Sequence, residues 1–184
     1  MRTFIAIDIP ENIKKGLINF TEKCRSLQSD GIKYVEKGNM HITLKFLGEL
    51  SEEQIENLSR DLAFIKFKAF PISVKTTGAF PNIFFPRVIW AGIFPVENLL
   101  EIFSKIESAS INNGIPAEER PFSPHITLAR IKSRADKGWA DFLKQNNNLD
   151  FGSFMPDGFS LYKSELNKSG PVYTKLKHFL FEEK

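Results

Sequence analysis

His41-Ile42-Thr43-Leu44 and His125-Ile126-Thr127-Leu128 are the same four residues, 84 positions apart. In each, His and Thr alternate with apolar residues, and Lys45 and Phe46 continue the alternation after the first. Alternation over such a length is the pattern of a half-buried β-strand, whose successive side chains point to opposite faces. The apolar set goes inward, and an imidazole and a hydroxyl stand side by side on the other face. Two such strands facing each other gather two imidazoles and two hydroxyls around one small volume. That set suits transfer at phosphorus, which needs a base, an acid and neutral donors for the phosphoryl oxygens. A lone His-x-Thr on a strand is commonplace. Repetition of the whole tetrapeptide, using two of the three histidines in the chain, points to a site.

The chain around the motifs repeats at nearly the same offset. Arg87-Val88-Ile89-Trp90-Ala91 resembles Arg2-Thr3-Phe4-Ile5-Ala6, and Ile55 and Leu58 fall on Trp139 and Phe142. The first half reads as a strand over Arg2 to Ile9, a helix with Pro10 as its first residue and running to about Gln28, and a short strand over Ile32 to Val35. The motif strand comes next. A second helix starts at a capping box of Ser51 and Gln54 and turns Ile55, Leu58, Leu62 and Ile65 inward. Phe70 to Phe80 is extended. The second half repeats this with a strand over Arg87 to Ile93, a helix over Val96 to Asn112 ended by Asn113-Gly114, the second motif, and a helix after Asp136. Two extended segments, Ser153 to Glu165 and Val172 to Phe181, close the chain around a turn at Asn167 to Pro171. These patterns predict an α+β fold of duplicated β-α-β-α-β lobes related by a pseudo-twofold, with two antiparallel sheets lining a central cleft and helices outside. The chain is then a single bilobal domain with halves 1–82 and 83–184.

With 184 residues, 42% of them hydrophobic and 26% charged, the chain is long enough for a substantial core and ordinary for a globular protein. A net charge of +3 permits a polyanionic partner without demanding one. Eighteen phenylalanines suggest aromatic packing with rings available to stack on a base. The one cysteine excludes an internal disulfide and a cysteine metal cage. The helical spacing of Ile13, Leu17, Phe20, Cys24 and Leu27 makes Cys24 a core residue. No run approaches the ~20 apolar residues of a membrane-spanning helix, and Thr3 to Ile7 is too short for a signal segment. A cytoplasmic monomer without membrane contact is the expectation. His178 has no Thr two positions on and reads as structural or surface. A zinc hydrolase would need three protein ligands and an open position, and no His-Glu-x-x-His occurs, so no metal or cofactor is expected.

The strings Arg2-Thr-Phe-Ile-Ala-Ile, His41-Ile-Thr-Leu-Lys-Phe-Leu-Gly and Phe122-Ser-Pro-His-Ile-Thr-Leu-Ala-Arg resemble the two-histidine (2H) phosphoesterase superfamily. Within it they are similar to the RNA 2′,3′-cyclic phosphodiesterase branch, the LigT-like 2′-5′ RNA ligases. The resemblance covers nearly the whole chain and implies the duplicated fold inferred above. It also implies metal-independent hydrolysis of a terminal RNA 2′,3′-cyclic phosphate to a 2′-phosphomonoester. His125 would be the proton acceptor that activates water, His41 the proton donor to the departing O3′, and Thr43 and Thr127 the donors to the non-bridging oxygens. RNA ends bearing a cyclic phosphate, tRNA fragments included, would be the partner. With an RNA 5′-hydroxyl in place of water the same site would form a 2′-5′ bond without ATP. By resemblance Arg130 is a substrate contact, yet strict alternation puts it on the face opposite His125, so the strand must end or bulge there. Lys45 has the parity to face the cleft but is matched by Ala129 in the second motif. A basic run of Arg130, Lys132, Arg134 and Lys137 adjoins the site and could attract RNA phosphates. The alternative is a module that binds nucleotides or RNA ends without turnover. Its mark would be loss of one motif histidine, and both are present.

Overall fold

A computed structural model describes residues 1–27, 31–132, 138–168 and 170–182. The chain starts with β1 (Arg2–Asp8), buried from Thr3 to Ile7, and Pro10 then caps α1 (Glu11–Cys24). Pro10 is the N-cap rather than the first helical residue, because its ψ of 160° is still extended. The helix ends at Cys24, short of the expected Gln28. There the chain tightens into three-residue turns, with Ser26 N–H donating to Lys23 O and Leu27 N–H to Cys24 O. Residues 28–30 lie outside the described residues.

β2 (Ile32–Tyr34) and a 3-10 turn at Lys37–Asn39 lead into the first motif strand, β3 (His41–Glu49). The expected capping box opens α2 (Glu52–Ala63): Gln54 N–H donates to Ser51 Oγ and Ser51 N–H to Gln54 Oε1. Ile65 packs on the core from beyond the end of this helix. Then come β4 (Ile72–Phe80), β5 (Val88–Phe94), α3 (Val96–Asn112), the second motif strand β6 (His125–Ile131) and α4 (Gly138–Gln145). The expected start of the last helix after Asp136 lies outside the described residues, as do Arg134 and Lys137 of the basic run.

The last part of the chain corrects the sequence reading. Ser153 to Glu165 is not one extended run but the end of β7 (Asp150–Phe154) and most of β8 (Gly158–Asn167), which lie in different sheets. Pro156 between them has no N–H to continue a ladder. Gly158 is needed where β8 begins, because a Cβ there would lie 2.0 Å from the Phe179 carbonyl oxygen of β9 (Gly170–Leu180).

The two sheets have the orders β3-β1-β8-β9 and β2-β6-β5-β4-β7, with antiparallel neighbours throughout. Laid against each other, β3, β1 and β8 correspond in order to β6, β5 and β4, which is the expected α+β duplication; the outer strands β9 and β7 both come from the second half of the chain, and β2 is an addition on β6. The two copies interlock. β4, from the first copy, pairs with β5 of the second, and β8, from the second, pairs with β1 of the first. The helices cross in the same way: α1 packs on β6 and β7, and α3 on β3. One buried cluster therefore runs through the molecule, from Ile7, Ile42 and Leu44 to Ile126, Leu128 and Trp139. Each such side chain contributes roughly 1.5–3 kcal/mol when removed from water. The motif strands β3 and β6 touch directly.

Gly158→Ala should lower stability by roughly 2–3 kcal/mol in denaturant unfolding, because its Cβ meets backbone. Gly38→Ala, where a Cβ meets nothing within 4 Å, should change it by no more than about 0.5 kcal/mol. Equal effects would mean that β8 and β9 do not pair as described.

Candidate active site

Both motif histidines are held by the carbonyl two residues before them. His41 Nδ1 lies 2.8 Å from Asn39 O, and His125 Nδ1 2.7 Å from Ser123 O. A carbonyl only accepts, so each Nδ1 carries a proton and donates it. In the neutral ring Nε2 is then the nitrogen with the lone pair, set to take a proton or, once charged, to give one.

Strict alternation fails just past each threonine. Along β1, Thr43 stands opposite Ala6 but Lys45 opposite Ile5, which leaves Leu44 as an extra residue. Along β5, Thr127 stands opposite Trp90 and Ala129 opposite Ile89, which leaves Leu128 extra. Each is a β-bulge, and it shifts the parity of the later residues in its strand by one. Arg130, opposite Val88, consequently returns to the face that carries His125 and Thr127. Lys45 is turned the other way, contrary to its expected parity. Its side chain is 1% exposed, with Nζ 2.7 Å from the Glu107 carboxylate of α3. Phe46, 58% exposed, takes the place beside Thr43.

The two walls have different surroundings. Asp8 stands directly opposite His41 in the β1–β3 register. Its carboxylate accepts from the Tyr162 hydroxyl and pairs with Lys175 Nζ at 2.7 Å. Phe4 stacks between the His41 ring (4.9 Å between centroids) and Tyr162 (5.2 Å), while Tyr173 meets His41 edge-on at 5.4 Å. His178, expected to be structural or surface, is half-buried on this same wall, with Nδ1 2.8 Å from Ser160 Oγ. On the second wall Gly92, not a carboxylate, stands opposite His125. Phe80 lies edge-on to the His125 ring at 5.1 Å, and the Trp90 indole covers Gly78 so closely that a Cβ there would be 2.3 Å from it.

Burial pushes the His41 imidazole down to about 4. The Asn39 carbonyl and Asp8 oppose the fall, and positive charge on Lys14 and His125 adds to it. His125 is lowered for the same leading reason, opposed by the Ser123 carbonyl and reinforced by the Arg130 guanidinium. The two imidazoles thus lie within each other's field, with Arg130 near the second. Burial raises the Asp8 carboxyl, but hydrogen bonds from Lys175 and Tyr162 outweigh it and hold the group below the usual carboxylate range. Thr43 and Thr127 are both half-buried on the walls, and neither hydroxyl is bonded to another protein group among the described residues. Among the described residues no three His, Cys, Asp or Glu side chains are grouped to hold a metal ion. Cys24 is buried, as its helical spacing implied, and burial pushes its thiol up to about 12. No helix of the described residues is long and apolar enough to cross a membrane.

A family model described as "LigT like Phosphoesterase" matches residues 7–90 and 93–173. The chain belongs to this family. It is 42% identical over 181 residues to the RNA 2′,3′-cyclic phosphodiesterase of Methanocaldococcus jannaschii, covering 97% of this chain and 100% of the relative. To the protein of that name from Thermotoga maritima it is 35% identical, over 99% of this chain and 96% of the relative. Escherichia coli LigT in complex with 3′-AMP superposes with a TM-score of 0.80 at 27% identity, over 98% of this chain and 97% of the other. In this LigT-like phosphoesterase the placement of the paired histidines and threonines on two strands was legible from the motifs. Asp8, Tyr162, Lys175 and Tyr173 were not. Their only signal is Asp8 at the end of a strand whose copy carries Gly92.

The lowered His41 has a consequence for stability. Its folded value of about 4 lies below the ordinary 6.5, so between these values the unfolded chain binds more protons. The contribution is fully present above pH 6.5 and is lost as pH falls toward 4, by up to ~3 kcal/mol. His41→Gln should flatten the stability–pH curve in that window. An unchanged slope in the variant would contradict the burial account.

Proposed function

We propose that the protein hydrolyses the 2′,3′-cyclic phosphate at an RNA 3′ end to a 2′-phosphomonoester, using His125 as base and His41 as acid. The observation that carries the reading is the pair of matching histidines, each with Nδ1–H committed to a carbonyl and Nε2 left for proton transfer. The name of the relatives that match over nearly the whole chain supports the substrate. Water loses a proton to His125 Nε2 as its oxygen attacks phosphorus. The bond from phosphorus to O3′ breaks, and O3′ takes the proton from His41 Nε2. Both transfers are supplied by the imidazoles, so the scheme needs no metal. Thr43 and Thr127 donate to the non-bridging oxygens as charge grows there. Arg130, brought back to this face by the bulge, binds the substrate phosphate. An RNA 5′-hydroxyl in place of water gives a 2′-5′ bond by the same proton transfers, its free energy coming from the strained ring.

The asymmetry of the walls supports the division of roles. A carboxylate beside His41 favours its charged, acidic form, and a guanidinium near His125 favours the neutral, basic form. Burial keeps both rings neutral at neutral pH in the free protein and lowers His41 the more strongly. The division of roles therefore rests on the bound state: the phosphodiester anion raises both rings, and the Asp8 carboxylate opposite His41 draws the proton there.

RNA ending in 2′,3′-cyclic phosphate should be converted to the 2′-phosphate with EDTA present, and either His→Ala change should abolish the conversion. Binding without turnover, or a 3′-phosphate product, would overturn the reading. Thr43→Ala and Thr127→Ala should each lower kcat, by ~2.7–4 kcal/mol in barrier, more than they raise KM. The kcat/KM profile should be a bell centred below pH 6.5, since free-protein His41 is charged only as pH falls, and the kcat bell should lie higher. A kcat/KM optimum above pH 7.5 would contradict the lowered histidines.

A further inference from the structure

We propose that Lys45 is a positioning residue, which ties the strand carrying His41 to the loop that presents His125 and so sets the distance between the two. The inference rests on the reading of His41 and His125 as the acid–base pair. Lys45 is the charged side chain that the bulge after Thr43 turns from the wall into the interior, where its side chain is 1% exposed. Its Nζ lies 2.7 Å from Glu107 Oε2 on α3 and donates to the Pro116 carbonyl at 3.0 Å. The other oxygen of Glu107 accepts from the Glu118 N–H at 2.6 Å. Residues 116–124 then run directly to His125, and along the way Phe122 stacks flat on Phe103 of α3, 4.5 Å between centroids. At the end of the same loop the Ser123 carbonyl holds His125 Nδ1.

One ammonium group thus connects β3 with α3, where the span leaves, and with the first residues of the loop whose last residues orient the second histidine. The second motif has no such tie, because the equivalent position after its bulge is Ala129, buried and apolar. A buried ion pair is a poor device for stability alone, since an apolar pair of similar volume is often neutral or stabilising in its place. Its distinctive property here is directional: it acts on Pro116, on Glu118 and on α3 at once, and apolar packing would not set those backbone groups. Displacement of a reacting group by about 1 Å can cost on the order of 100-fold in rate.

The test compares wild type with the paired apolar variant Lys45→Met/Glu107→Leu and with Glu107→Gln, which keeps the volume and one acceptor. Cyclic-phosphate RNA turnover, thermal midpoint and amide exchange across residues 117–125 are measured for each. The paired variant should stay folded with KM within about twofold, while kcat falls roughly tenfold or more and the Glu118 amide loses protection. Glu107→Gln should fall between. Wild-type kcat and wild-type loop protection in the paired variant would overturn the proposal, as would a lowered kcat with the loop still protected. Should the paired variant not fold, Glu107→Gln alone decides by the same two readouts. Loop protection does not depend on turnover. Inactivity of wild type would therefore sink the proposed reaction while leaving the tether itself measurable.

Discussion

A strand shows its side chains to two faces in turn, and a single extra residue reverses every later face. The site depends on that constraint twice. Before Leu44 and Leu128 the strands obey alternation and place His41, Thr43, His125 and Thr127 on the walls. After those residues the order is reversed, so Arg130 and Phe46 join the walls while Lys45 and Ala129 go inward. Without the bulges a lysine would stand beside one threonine and an arginine would be driven into the core. The burial cost of an unpaired charge makes that arrangement untenable.

The interlocked duplication supplies the second requirement, that the motif strands face each other. Because β4 and β8 each pair into the sheet begun by the other copy, neither half of the sequence builds its wall alone. The matched backbone hydrogen bonds to Asn39 and Ser123 give both histidines one tautomer. Their different neighbours, Asp8 and Gly92, then break the symmetry that the duplication creates. Two like groups can thereby take opposite roles.

Range in the sequence decided which features were legible. The motif histidines and threonines, the Ser51 capping box and the buried Cys24 could be read because alternation, helical spacing and capping are properties of a few neighbouring residues. The bulges were harder. Leu128-Ala129 is an apolar pair that marks one in retrospect, but in the first copy Lys45 looks like an ordinary polar partner in alternation, and only its contact with Glu107 on α3 shows otherwise. The cluster of Asp8, Tyr162 and Lys175 joins residues more than 150 positions apart and has no local pattern at all. The division of Ser153 to Glu165 into two strands carried a local signal in Pro156, outweighed by the β-forming residues on either side.

The division of labour between the histidines is the central claim, and a substrate with sulfur as the 3′ leaving atom tests it most directly. Sulfur departs with little need of a proton, so loss of the acid matters less while loss of the base matters as before. His41→Ala should regain most of the wild-type rate on this substrate, and His125→Ala should stay impaired. Rescue of His125→Ala instead would reverse the roles and contradict the account of Asp8 and Arg130.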